Sequence, residues 1–208
     1  MLLVLSIGLS LVIALATGGR LSGLARISFR LGWLTFVALG IQIGAVYVRE
    51  PAWLASTLLV ISYLLLVAVI LANLRLPGLA ALGLGLLSNM AAIIANGGYM
   101  PVTPEAVARA GLQELVTVTD AGVRVFGSKD IVLSVADTRL WILSDILVLK
   151  HPIATVLSIG DLLLAVGAFW FVYAALNAGR RTEDKVAIHS MDREQETTSH
   201  SSRYDKGD

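Results

Sequence analysis

No cysteine occurs in the chain, which excludes disulfides, thiolate nucleophiles and cysteine metal sites. Histidine is almost as scarce: His189 and His200 lie in a polar C-terminal stretch, and His151 stands alone before an apolar run. None has a partner at the i, i+4 spacing of helical metal ligands, so no metal and no other cofactor is expected. Charge is sparse as well. Only 15% of the residues are charged and the formal net charge is +1, with the basic residues in short clusters and not on one continuous face. That pattern excludes nucleic acid as a partner.

What remains is strongly apolar, with 56% hydrophobic residues gathered into long runs that the charges avoid. Five runs are long enough to be read as membrane spans, at about 2–18, 31–48, 53–72, 76–96 and 152–177. Arg49-Glu50-Pro51 breaks the second from the third, and Asn73-Leu74-Arg75-Leu76-Pro77 the third from the fourth. The short connections carry Arg20, Arg26, Arg30, Arg75, Arg180 and Arg181 on one side and Arg49 on the other. The positive-inside rule then sets the N-terminus outside and the C-terminus in the cytoplasm. A cleavable signal peptide ending at Ala14-Leu15-Ala16 is the competing reading of the first run. Signal peptides carry their positive charge ahead of the apolar stretch, whereas here the arginines follow it.

The expected fold class is therefore an all-α membrane protein, a five-transmembrane-helix bundle over residues 1–178 with a small extracytoplasmic region at 97–151. In that region Thr103-Pro104-Glu105, with Gly111 as the stop, predicts a short helix. Leu115 to Thr119 and Val123 to Phe126, separated by Asp120-Ala121-Gly122, predict a β-hairpin. Leu140 to Leu149, too short to span, reads as an interfacial or re-entrant segment packed against protein. From 179 to 208 the composition turns to charged and hydroxyl residues, which predicts a disordered cytoplasmic tail.

An ionisable group inside a span costs about 3 kcal/mol on insertion scales, so Asp161, placed about halfway through the fifth run, calls for a partner or a purpose. Ala154, Ser158, Asp161, Ala165 and Ala168 form one narrow polar and small face. Matching stripes run through Gly78, Ala81, Gly85, Ser88 or Asn89, Ala92 and Asn96 in the fourth run, and through Thr35, Ala38, Gln42 and Ala45 in the second. The three faces are expected to meet, with Gln42, Asn89 and Asn96 hydrogen-bonding the Asp161 carboxyl. Tyr99, at the end of the fourth run, and Ser158 would border the resulting pocket. Asp137, Arg139 and Asp145 flank the interfacial segment; as a cap, a snorkelling cation and a solvated acid they need no further role. Together with Asp161 they also offer a second carboxyl.

The runs Leu24-Ala25-Arg26, Arg30-Leu31-Gly32-Trp33, Asn96-Gly97-Gly98-Tyr99-Met100-Pro101-Val102, Thr138-Arg139-Leu140, Leu143-Ser144-Asp145 and Ser158-Ile159-Gly160-Asp161 resemble a family of uncharacterised bacterial integral membrane proteins, domain of unknown function 5317. The resemblance covers the chain up to the fifth run and implies a bacterial plasma-membrane location, but no activity. Leu143 to Leu147, His151-Pro152 and Ser158 to Leu162, with Gly167 further on, are also similar to the last part of lipoprotein signal peptidases. That likeness implies an aspartyl peptidase in which Asp161 works with Asp145 or Asp137, one carboxyl as base and the other as acid on a water. Ser158 departs from it by standing where that family has asparagine.

Three function classes follow. The leading one is binding, transport or assembly through a polar outer-leaflet pocket around Asp161, with the bilayer, a lipid or membrane-peptide ligand and a second copy of the chain as partners. The alternatives are the peptidase and a structural scaffold without a ligand, so whether the chain is an enzyme stays open at this stage. An ordinary secondary transporter would show two related halves, and none is visible.

Overall fold

The computed structural model describes residues 2–48, 51–150 and 154–178. The Arg49-Glu50 break, His151-Pro152 and the tail expected to be disordered lie outside the described residues. The chain divides into two compact units, residues 1–8 with 29–171, and residues 9–28 with 172–208.

Five apolar helices form where the five runs predict helix: α1 (Leu2–Ala16), α3 (Gly32–Tyr47), α4 (Ala52–Ala72), α5 (Leu79–Ala95) and α7 (Ile159–Ala178), with a single turn, α2 (Ser22–Ala25), between the first two. Among the described residues, only α4 and α7, of 21 and 20 residues, are both long and apolar enough to cross a membrane. The other three have 15, 16 and 17 residues. At about 1.5 Å per residue they fall short of a hydrocarbon core about 30 Å thick. The expectation of five spans is thus corrected to two helices of spanning length and three shorter apolar ones.

The described residues are mostly helical, and the connection after α5 adds short strands beyond the expected hairpin. A four-stranded sheet has the order β1 (Met100–Val102), β4 (Asp130–Val132), β3 (Gly122–Val125), β2 (Val116–Thr119), with β1 and β4 parallel and the other pairs antiparallel. The β2–β3 hairpin and α6 (Pro104–Ala110) occur where the sequence places them. Thr103 caps α6 by accepting from the Ala106 amide at 3.1 Å, and Gly111 ends it at a φ of 71°. The interfacial segment, by contrast, is no helix. It is a single 3-10 turn, Trp141–Leu143, followed by β5 (Leu147–Leu149), which pairs with β6 (Thr155–Leu157).

That second pairing moves the start of the last helix. Thr155-Val156-Leu157 is consumed as strand, so α7 begins at Ile159 and Asp161 sits in its first turn, not halfway along. Ser158 and Asp161 form the reciprocal pair of a capping box: the Asp161 amide donates to Ser158 Oγ at 3.0 Å, and the Ser158 amide donates to Asp161 Oδ2 at 3.0 Å.

In the larger unit α3 lies along α4, and α4 along α5. The α5–α7 crossing is close because small residues face each other. A side chain at Gly85 would strike the Gly160 carbonyl, and one at Gly160 would strike the Asn89 carboxamide and the Gly85 carbonyl. Asp120, in the hairpin loop, accepts from the Ala52 amide at 3.1 Å, setting a carboxylate at the positive end of α4. Tyr99 donates its hydroxyl to the Ala52 carbonyl at 2.7 Å. The sheet is thereby fixed to the first turn of α4. In the smaller unit the turn after α1 is closed by bonds from the Gly19 amide to Ala14 (2.8 Å) and from the Arg20 amide to Leu176 (3.0 Å).

Gly160→Ala is expected to destabilise the protein by about 1–3 kcal/mol through overpacking, despite the better helix propensity of alanine. The thermal midpoint in detergent should fall by about 2–4 °C for each kcal/mol in a chain of this size. Gly40→Ala, where nothing stands within 4 Å, should cause no loss. Equal midpoints for the two variants would show that α5 and α7 do not cross closely.

Candidate functional site

Two polar groups of side chains meet where the sheet reaches the helices. The first is built on α5 and α7. Asn89 is 1% exposed; its Nδ2 donates to Asp161 Oδ1 at 2.8 Å and its Oδ1 accepts from Ser158 Oγ at 2.8 Å. Both Asp161 oxygens are therefore engaged, one by a carboxamide and one by the capping amide. Asn89 stands six residues before the end of α5, about 9 Å along the axis.

The second group is carried by the sheet. The Met100 amide donates to the Lys129 carbonyl at 2.9 Å, which sets Lys129 and Asp130 at the head of β4 beside β1. On the other side of β1, the Asp145 amide donates to the Pro101 carbonyl at 3.0 Å. Asp130 and Asp145 are thus brought together from either side of one strand, close enough for each carboxyl to act on the protonation of the other. Lys129 Nζ lies 3.5 Å from Asp145 Oδ2 and keeps 24% of its side chain exposed, while the Asp145 side chain keeps 2%.

Oδ1 of each carboxyl is buried and accepts from no donor among the described residues. Ionised carboxylates only accept hydrogen bonds, so a bond between the two would need one proton held between them. Burial holds both carboxyls above the ordinary carboxylate range, Asp145 well above it, against the lowering effect of the Lys129 charge; on Asp145 the charges of Asp130 and Asp161 push the same way. Burial would lower Lys129, but the negative charge of Asp145, with Tyr63, Asp161 and Asp130, raises it well above its usual value. It stays protonated. The electrostatic reach of Asp161 onto Lys129, Asp130 and Asp145 joins the two groups into one site.

The residues singled out from the sequence are only partly gathered here. Asp161, Asp145, Asn89 and Ser158 belong to the site. Gln42 does not: α3 runs along α4, and no hydrogen bond links Gln42 to Asp161 among the described residues. Asn96 is spent on backbone, donating to the Ala92 and Arg139 carbonyls at 2.8 Å and accepting from the Arg139 amide at 2.9 Å. Tyr99 is 2% exposed, with the Arg124 guanidinium 4.3 Å above its ring and its hydroxyl spent on the Ala52 carbonyl. Asp137 is exposed and accepts from Ser134 Oγ at 2.7 Å, closing a local turn. Arg139 is exposed and contributes its backbone alone to the Asn96 clamp.

Lys129 and Asp130 escaped the sequence reading. Ser128-Lys129-Asp130 has the look of a solvated turn, and the one available signal was the apolar run Ile131-Val132-Leu133 directly behind it. Among the described residues no cluster of three His, Cys, Asp or Glu side chains has the arrangement of a metal site.

Raised carboxyls make stability depend on pH in a definite direction. The unfolded chain releases these protons near pH 4, whereas the folded chain keeps them to higher pH. The stabilisation is complete below about pH 4 and is lost as pH rises through the folded value. Unfolding midpoints in detergent should accordingly fall between about pH 4 and neutrality, and Asp145→Asn should flatten that fall. An unchanged slope in the variant would show that the pair holds no extra proton.

Residues 26–173 match a family described as a family of unknown function, DUF5317. No curated protein and no solved structure matches the chain. The likeness to lipoprotein signal peptidases finds no support there, and in the structure both oxygens of Asp161 are already engaged within the fold.

Proposed function

The chain belongs to DUF5317, a family of unknown function, and on that premise we propose that it is a multi-pass plasma-membrane protein that binds a positively charged amine in its buried carboxyl site. The amine would be carried by a lipid headgroup or a membrane peptide, and its arrival would release the proton shared by Asp130 and Asp145.

Two helices of spanning length support the membrane part. So does the apolar surface of the helices, where Val4, Trp33, Phe36, Trp53, Leu71 and Val166 are each 59–79% exposed. Exposed apolar surface on that scale is what lipid covers. With the three shorter apolar helices also crossing, the arginine distribution favours an outside N-terminus and a cytoplasmic C-terminus, so that the sheet lies on the outer face.

The observation that carries the binding reading is the buried Asp130–Asp145 pair, with Oδ1 of each unpartnered among the described residues and Lys129 Nζ 3.5 Å from Asp145. With one proton held between the pair, three carboxyls and one lysine leave a single negative charge over. A buried uncompensated charge is costly, and a ligand bringing one positive charge relieves the cost. The partly exposed Lys129 side chain marks the way in. Asp161 acts in this reading as a positioning residue, holding α5 to α7 beneath the pair. A scaffold without a ligand is the second reading, favoured by the complete use of the Asp161 oxygens within the fold.

Calorimetric titration of nanodisc-embedded protein with short-chain phosphatidylethanolamine, in buffers of different ionisation enthalpy, separates the two. Binding with proton release is expected, weakened at least about tenfold, or about 1.4 kcal/mol, in Asp145→Asn. Phosphatidylcholine, whose headgroup offers no hydrogen-bond donor, should bind far less. Absence of binding, or binding indifferent to Asp145→Asn, would leave the scaffold.

A further inference from the structure

The turn after the Asn96 clamp shows three large apolar side chains in succession to the outside: Leu140, Trp141 and Ile142 are 51%, 49% and 53% exposed. Slack chain does not explain this. Leu140 is held at a φ of 54°, a left-handed conformation that a residue with a β-carbon rarely adopts. The turn is closed by a bond from the Leu143 amide to the Leu140 carbonyl at 2.8 Å, and by the Ser144 hydroxyl donating to the Trp141 carbonyl. Leu143 alone points inward, against the cluster of Tyr63, Leu86, Ala92, Ile93 and Met100. Asn96, one residue beyond α5, fixes Arg139 by both its amide and its carbonyl. The fold thus holds a strained apolar turn rigidly at the end of α5.

What covers that turn follows from its place. α5 has 17 residues and is about 25 Å long, several ångströms short of the hydrocarbon thickness, and Ile94 in its last turn is 54% exposed. The turn extends this apolar surface beyond the helix end. Its composition is that of an interface anchor, with a tryptophan between two aliphatics and an exposed arginine, Arg139, just before them. We propose that Leu140-Trp141-Ile142 is a wedge seated in the outer leaflet, at the boundary of acyl chains and headgroups, with Arg139 reaching the lipid phosphates. It makes up the missing length of α5 and holds the sheet, and so the Asp130–Asp145 pair, against the bilayer. This rests on the membrane reading above.

The chain has four tryptophans, Trp33, Trp53, Trp141 and Trp170. Full-length variants keeping only Trp141 (W33F, W53F, W170F) or only Trp170 (W33F, W53F, W141F) are reconstituted in phosphatidylcholine–phosphatidylglycerol vesicles containing lipids brominated at shallow or deep acyl positions. Trp141 is expected to be quenched more by the shallow than by the deep bromines, and several-fold less by aqueous acrylamide than free tryptophan. Acrylamide quenching equal to that of free tryptophan, with no effect of brominated lipid, overturns the wedge. Shielding from both quenchers also overturns it, because a protein surface or a second copy then covers the turn. Trp170, on α7 and 56% exposed, reports the membrane reading itself. If it is quenched by deep bromines while Trp141 is not quenched by lipid, the wedge alone fails; if neither is quenched, the membrane reading fails with it. Should the tryptophan variants not fold, Ile142→Cys carries a single nitroxide, since the chain has no other cysteine. Its collision rate with oxygen should then exceed that with a water-soluble nickel chelate, and the reverse order overturns the proposal.

Discussion

The Asn89 carboxamide is the contact on which the arrangement of α5, α7 and the polar site depends. Both of its functional ends are used across the helix crossing, one on Asp161 and the other on Ser158. A carboxamide buried without partners would cost several kcal/mol, so the pairing is obligatory once the helices meet. They can meet at this distance because Gly160 leaves room for the carboxamide and Gly85 for the α7 backbone. The two residues it holds, Ser158 and Asp161, also form the capping box that starts α7. Helix start, helix crossing and position of the Asp161 charge are therefore one event, and none of the three can shift without the others.

The carboxyl pair answers to a different constraint. Two carboxyls this deeply buried do not ionise together, and their separation is set by backbone and not by side-chain choice. β1 has β4 on one side, with the Met100 amide bonded to Lys129, and the Asp145 segment on the other, with the Asp145 amide bonded to Pro101. Asp130 and Asp145 face each other across that strand because both flanking segments are registered to it. Residues fifteen positions apart in sequence thus form a pair that no local spacing announces.

Why part of this was legible in the sequence and part was not comes down to the range of the interactions. Thr103-Pro104 with Gly111, and Asp120-Ala121-Gly122 between alternating strands, are local signals, and they place α6 and the hairpin correctly. The small faces of the fourth and fifth runs were readable for the same reason, since helical period is local, and Asn89 does meet Asp161. Ser158-Ile159-Gly160-Asp161 was equally readable as a capping box. It was overridden because Ile153 to Leu157 continues the apolar run, and hydropathy alone does not separate a buried strand from the first turns of a helix. The β-branched Thr155-Val156 pair was the discriminating detail. Lys129 and Asp130 are hidden for the converse reason: a charged turn is solvated in nearly every other setting, and only the parallel pairing of β1 with β4 carries this one inward.

That pairing also explains how irregular chain can lie among apolar helices. Tyr99, Met100 and Val102 are at most 2% exposed, and Met100 packs with Tyr63, Leu86 and Ile93, well inside α4 and α5. Backbone in such a place is tolerated only if its polar groups find partners within the protein. Here Met100 donates to β4, the Pro101 carbonyl accepts from Asp145, the Val102 carbonyl accepts from Leu133, and proline contributes no amide to satisfy. The strand that solves the hydrogen-bonding problem of a buried connection is the same strand that brings Lys129, Asp130 and Asp145 to Asp161.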